Sequence, residues 1–286
     1  MTGRNFSRRI QQDGIIVAPG CYDAFSARLV EEAGFEAVYM TGYGTSATMI
    51  GQPDVGLLTM SEMAAHAGQI ASAVRLPVIA DADTGYGNPV NVMRTVREYI
   101  KAGVAAIQLE DQVFPKKCGH TRGKQVIPKK EMVKKIEAAV DAREDSGLVL
   151  IARTDANAVH GFQDAIERCK AYIKAGADII FVEAPRSVDE MRLVYEELRF
   201  PLMANMVEKG QTPLLKNGEL EKLGYKLVIY PLSALMAATR AITDLLRSLK
   251  ENGTTAEFLD RMVEFSELNQ IVGFDEFYTL EQKYVY

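Results

Sequence analysis

Asp81 and Asp83 follow one short apolar run of the sequence, Glu110 and Asp111 follow another, and Glu183 follows a third. Gathered in one small space, such carboxylates raise one another's pKa unless a cation intervenes. They are hard oxygen ligands without a His-rich pattern beside them. The three histidines, His66, His120 and His160, show no HxxxH spacing, which argues against zinc. A few direct carboxylates completed by water describe Mg2+, or Mn2+, better than a calcium cage. Helix capping is the other use for Asp81 and Asp83, although Asn88 and Pro89 already supply a start signal for the helix that follows.

A different chemistry lies shortly after Glu110, in Lys116-Lys117-Cys118-Gly119-His120. Lysines and a histidine around a thiol lower its pKa and make it a usable acid, base or nucleophile. The segment from Asp111 to Gly147 is longer than most of its counterparts, and Gly119 and Gly123 allow it to move, so a lid carrying its own reactive group is expected. The plainer alternative is an exposed basic loop with an incidental cysteine. Cys21 and Cys169 lack such neighbours, and Cys169 reads as helix packing. Two Thr-Gly-Tyr-Gly stretches, Thr41–Gly44 and Thr84–Gly87, match neither the dinucleotide fingerprint nor the P-loop. They are either anion-binding turns or ordinary connections.

The elements that must carry these groups are eight short apolar runs: 15–18, 37–40, 77–80, 105–109, 148–152, 179–182, 201–204 and 227–230. Segments with helical periodicity lie between them, such as 24–33, 61–73, 131–143, 162–175 and 188–198. The runs are continuously apolar, as strands covered on both faces must be. Eight such units in 286 residues, without a linker or a shift in composition, predict a single (β/α)8 barrel domain over residues 1–286. A doubly wound open sheet is the second choice. Polar groups follow nearly every run directly: Tyr22 and Asp23, Thr41 to Tyr43, Arg153 and Asp155, Asn205 and Ser233 join the carboxylates above. In a barrel those ends converge on one rim, where barrel enzymes carry their chemistry. Residues 254–286 form a helical extension with exposed-looking Phe258, Phe265, Phe274, Phe277 and Tyr284, which packs either on its own barrel or on a second subunit.

Composition narrows the class. The 33 Lys and Arg against 38 Asp and Glu give a formal charge of -5, which provides no general attraction to nucleic acid or an anionic membrane. No apolar run reaches the ~20 residues of a membrane span, and Met1–Gly14 lacks an apolar signal core. Three widely spaced cysteines do not make a disulfide framework, so a soluble cytoplasmic protein with reduced thiols is expected.

Taken together, Tyr22-Asp23-Ala24, Pro53–Gly56, Asp81–Gly87, Glu110-Asp111-Gln112, Lys116–His120, Ala152–Ala156, Glu183-Ala184 and Tyr230–Ser233 resemble the isocitrate lyase/phosphoenolpyruvate mutase superfamily over nearly the whole length. The resemblance implies a Mg2+-dependent barrel enzyme, a small hydroxy- or oxo-acid substrate, and a homotetramer with C-terminal helices exchanged between subunits. It implies metal binding by Asp81 and Asp83, with Glu110 acting through water. Substrate contacts fall to Thr41, Gly42, Tyr43, Asp54, Gly119, Arg153, Glu183 and Asn205, and catalytic roles to Cys118, Tyr39, Lys116 and His120. The run around Cys118 favours lyase chemistry. Met236 and Phe265 stand where methylisocitrate lyases carry two arginines, which disfavours a tricarboxylate. The chain is therefore most similar to the 2,3-dimethylmalate lyase-like and carboxyphosphonoenolpyruvate mutase-like members. The expected reaction is cleavage of a 2-hydroxy dicarboxylate to pyruvate and a carboxylate such as propanoate. The alternatives are phosphonomutase, methylisocitrate lyase, and oxaloacetate hydrolase or decarboxylase activity.

Overall fold

The computed structural model describes residues 3–119 and 123–285. Among them, eight parallel strands close into a barrel in sequence order: β1 Ile16–Cys21, β2 Val38–Met40, β3 Val78–Asp81, β4 Ala106–Glu110, β5 Val149–Thr154, β6 Ile179–Val182, β7 Leu202–Asn205 and β8 Tyr225–Tyr230. Closure is made by β8 on β1, with Ile16 opposite Leu227 and Ala18 opposite Ile229. The helices are α1 Gly3–Ile10, α2 Ala24–Glu32, α3 Gly42–Met49, α4 Met60–Ala73, α5 Pro89–Lys101, α6 Lys129–Arg143, α7 Ala156–Val159, α8 Phe162–Lys174, α9 Val188–Leu198, α10 Asn217–Lys222, α11 Ser233–Asn252, α12 Phe265–Val272 and α13 Phe274–Tyr284.

Successive side chains of a strand point to opposite faces, and here both faces are apolar. Val149, Ile151, Ile179 and Phe181 fill the barrel interior, while Leu150, Ala152, Ile180 and Val182 pack outward under the helices. That double burial explains runs without alternation. The same period of two carries the functional groups inward: Asp81 follows Ile79, Glu110 follows Ala106 and Gln108, Arg153 follows Ile151, and Glu183 follows Phe181.

The two termini differ in how they pack. Residues 3–10 read as polar and basic, yet they form α1, whose Phe6 and Ile10 lie one turn apart and join the interior cluster. Gly3 packs on the backbone of Gly147 and Leu148, at the start of β5, so α1 closes the end of the barrel opposite the polar rim. At the other terminus, α11 buries only Asp244 of its 20 residues, and neither α12 nor α13 buries a residue. Ile242, Leu246, Phe265, Phe277 and Tyr284 are each more than half exposed. Phe258 is the exception: it is buried, with Arg261 stacked 4.2 Å from its ring centre. Among the described residues, no helix is long and apolar enough to cross a membrane.

Phe6 is 1% exposed, so Phe6→Ala should lose about 3–5 kcal/mol of stability. Urea unfolding checks this, and a loss below about 1 kcal/mol would show that α1 does not plug the barrel.

Candidate active site

Among the described residues, the rim of the barrel holds a buried excess of carboxylate. Six acids (Asp54, Asp81, Asp83, Glu110, Asp155 and Glu183) face three cations, Lys116, Lys124 and Arg153. Asp81 accepts from the Asp83 N–H at 3.0 Å, a turn that places Asp83 at φ +47°, a left-handed conformation costly for a side chain with a Cβ. Burial, and then the neighbouring Asp83, push the Asp81 carboxyl up to about 6. Burial likewise pushes Glu110 well above the usual range against the pull of Arg153, and its Oε1 has no hydrogen-bond partner among the described residues. Lys116 Nζ lies 2.5 Å from Asp54 Oδ1 and 2.8 Å from Asp83 Oδ1. Burial disfavours that ammonium, but Asp83, Asp81 and Asp54 outweigh it and hold the lysine charged.

Arg153 organises the other side. Its guanidinium reaches Asp155 at 2.8 Å, Glu183 at 3.3 Å and Glu110 at 3.4 Å, and it stacks on Phe181 with 5.1 Å to the ring centre. Asn205 Nδ2 donates to Glu183 at 3.3 Å. At the start of α3, Thr41 caps the helix by accepting from the Gly44 N–H, and Gly42 is pressed against Asp81. A Cβ on Gly42 would stand 2.4 Å from Asp81 Oδ2, so only glycine lets that carboxylate approach the helix end.

Residues 111–119 and 123–127 form a flap over this rim. Its base is tied by Val113 N–H to Gln125 O and Ile127 N–H to Asp111 O, both 2.8 Å. Gln112 grips Lys117 by accepting from its N–H and donating to its carbonyl, at 3.0 and 2.8 Å. Cys118 is half-buried and lines the cleft, with Tyr39, Thr41, Arg153 and the apolar Phe181 and Leu232 around it. A Cβ on Gly119 would lie 2.4 Å from Arg153 Nη2 and 2.7 Å from Glu183 Cδ, so the flap rests directly on the site. The cleft holds a cavity of about 50 Å³, room for a few waters or a small acid.

Thr41, Tyr43, Asp54, Asp81, Glu110, Lys116, Cys118, Gly119, Arg153, Glu183 and Asn205 line one cleft together with Tyr39. Gly42 and Asp83 border it through Asp81 and Lys116. His120 lies outside the described residues. Several expected roles change. Lys116 directs its ammonium into Asp54 and Asp83. Tyr39 is unsuited to be the resting base: burial, and then Asp81, push its phenol well above the usual value, and its O–H donates to Gln108 Oε1 at 3.1 Å. Asp111 faces away from the cleft, accepting from Thr154, Tyr172, Arg168 and the Asp155 N–H. Met236 and Phe265 are exposed and do not line the cleft of their own chain. Among the described residues no three His, Cys, Asp or Glu groups gather into a metal cage, since Lys116 takes the Asp83 corner and Arg153 pairs with Glu110. Residues missed from the sequence are Gln108, whose inward position two before Glu110 was a usable signal, and Lys124, for which spacing offered none.

If the flap rests on the site as described, Gly119→Ala must displace it at an overpacking cost of about 1–3 kcal/mol. Iodoacetamide should then alkylate Cys118 roughly tenfold faster or more, while the buried Cys21 and Cys169 stay protected. An unchanged rate would contradict the closed flap.

Comparison with known proteins identifies the family. Residues 6–250 match the family model of phosphoenolpyruvate phosphomutase. The 2,3-dimethylmalate lyase of Eubacterium barkeri is 56% identical over 94% of this chain and 93% of its own. The chloroplastic carboxyvinyl-carboxyphosphonate phosphorylmutase of Arabidopsis thaliana is 50% identical over 98% and 84%. A crystal structure of a 2,3-dimethylmalate lyase superposes with a TM-score of 0.94 at 40% identity, covering 99% of this chain and 95% of that one. The chain belongs to the phosphoenolpyruvate phosphomutase family, a lineage of carbon–carbon lyases and mutases within the PEP mutase/isocitrate lyase superfamily.

Proposed function

We propose that the protein cleaves the C2–C3 bond of a 2-hydroxy dicarboxylate of the 2,3-dimethylmalate type, releasing pyruvate and propanoate or a related carboxylate. The observation that carries this reading is the half-buried Cys118, lining a small cleft together with several carboxylates and Arg153. Likeness to a 2,3-dimethylmalate lyase at 56% identity supports it.

The donor set suits a hard divalent cation. Among the described residues the acids outnumber the cations and Glu110 Oε1 is buried without a hydrogen-bond partner, and a dianionic substrate adds more negative charge. Asp81 and Asp83 would hold Mg2+ or Mn2+ directly, with Glu110 reached through water, an arrangement that needs no closed protein cage. Bound there, the ion supplies the positive charge that makes the substrate's hydroxyl acidic.

The protein's own groups do the rest. Backbone N–H groups at the start of α3, from Gly42 and Tyr43, receive the oxo-acid carboxylate, and Arg153, oriented by Asp155 and Glu183, receives the second one. Phe181, Val207, Ile229 and Leu232 provide an apolar wall suited to methyl substituents. Glu110 Oε1, buried and with no hydrogen-bond partner among the described residues, takes the hydroxyl proton. As the C2–C3 bond breaks, its electron pair stays on C3, and Cys118 Sγ–H delivers a proton there from the closed flap. Pyruvate and the protonated fragment together account for every atom of the substrate. Tyr39 and Gln108 keep the floor in place by their hydrogen bond.

A homotetramer with exchanged C-terminal helices is part of the proposal, supported by the exposed apolar face of α11 and the tail beyond it. A cytoplasmic location accords with three cysteines outside any disulfide. The 50% identity to a phosphorylmutase favours one rival, P–C bond formation, which phosphorus NMR with carboxyphosphonoenolpyruvate would reveal.

A panel of C4–C7 2-hydroxy dicarboxylates should yield pyruvate, with 2,3-dimethylmalate the best substrate. Cys118→Ser should lower kcat by about 10²–10⁴, the usual worth of a positioned proton donor, while pyruvate still binds. Undiminished turnover would remove Cys118 from the mechanism.

A further inference from the structure

Lys124, on the returning arm of the flap, is buried although it lies in neither strand nor helix. A lysine on a surface loop can ordinarily keep its ammonium in water, and burying it is costly unless it is paired. Here the pairing is specific. Lys124 Nζ donates to Asp155 Oδ1 at 2.7 Å and to the Gly119 carbonyl at 2.5 Å. Asp155 simultaneously accepts from Arg153, Nε to Oδ2 at 2.8 Å and Nη2 to Oδ1 at 3.1 Å. One carboxyl oxygen is therefore shared by the cleft arginine and the flap lysine. Asp155 is itself fixed, because its N–H donates to Asp111 Oδ1 at 2.9 Å. Gly119, the other acceptor, directly follows Cys118 and lies against Arg153.

We propose that Lys124 is a positioning residue, whose ammonium latches the flap to Asp155 and sets Cys118 in register with the Arg153 side of the cleft. The latch is a matter of geometry, and its kinetic effect rests on the reading of Cys118 as proton donor. Removing the ammonium leaves both Arg153–Asp155 hydrogen bonds in place, so substrate affinity persists. What is lost is the alignment of the thiol with C3, and the loss falls on kcat rather than KM.

The test compares the parent chain with Lys124→Met, of similar length without charge, and Lys124→Arg, which keeps the charge. Alkylation of Cys118 by iodoacetamide is followed by peptide mass spectrometry, with and without oxalate plus Mg2+ as the probe, beside kcat and KM for pyruvate release. Lys124→Met should alkylate at Cys118 about tenfold faster or more, and oxalate with Mg2+ should no longer protect it. Its kcat should fall about tenfold or more with KM within about twofold, and Lys124→Arg should restore most of both. In a Gly119→Ala background, where the flap is already displaced, Lys124→Met should add little. Continued protection of Cys21 and Cys169 shows that the variant is folded. Alkylation at the parent rate in Lys124→Met, or exposure of all three cysteines together, overturns the latch. Faster alkylation at Cys118 in a chain that releases pyruvate from no diacid leaves the latch standing and rejects the lyase reading instead.

Discussion

Everything at the rim of this barrel answers to one electrostatic constraint: among the described residues, more carboxylates are buried there than the lysines and arginine can neutralise. In water such acids would cost little, but desolvation penalises each charge and the acids repel one another. The raised Asp81 and Glu110 carboxyls are the direct expression of that penalty. Lys116 relieves one corner through Asp54 and Asp83, and Arg153 relieves another through Asp155, Glu183 and Glu110. A site that remains acidic after both are counted is poor at binding a diacid by itself and well suited to a divalent cation that bridges acid to acid.

The flap is bound to the same constraint. It delivers Lys116 and Lys124 into the carboxylates, so its seating is driven by charge, while Gly119 permits the close approach to Arg153. Seated in this way, the flap places the thiol of Cys118 in the cleft. The barrel below contributes rigidity: Asp111, Thr154, Tyr172 and Arg168 form a hydrogen-bonded block behind the strands that fixes the backbone of Asp155.

Much of this was legible in the sequence because strands buried on both faces leave uninterrupted apolar runs. The eight runs fall on the eight strands within a few residues, and the rim groups stand one or two positions past the last apolar residue. Gly34 and Gly103, which follow the C-caps of α2 and α5, sit at φ +82° and +85°, as glycines that end helices do. What stayed hidden has physical reasons. An eight-residue helix with two buried apolar side chains, as in α1, is too short to show a period against basic neighbours. A lysine's four-carbon stem conceals where its ammonium ends, so Lys116 reads as a neighbour of Cys118 when it partners Asp54, and Lys124 gives no hint of Asp155. Phe258 and Phe265 read alike as tail aromatics, yet one is buried and the other 76% exposed, because the pattern does not record how the chain folds back.

The claim beneath this account is that the acidic rim is completed by a divalent ion. Calorimetric titration of Mn2+ into the protein in the presence of pyruvate addresses it directly, with the Asp81→Asn variant as the comparison. One ion should bind per chain in the parent, and the site should be lost in Asp81→Asn. Absence of binding in the parent, or equal binding in the variant, would contradict the account.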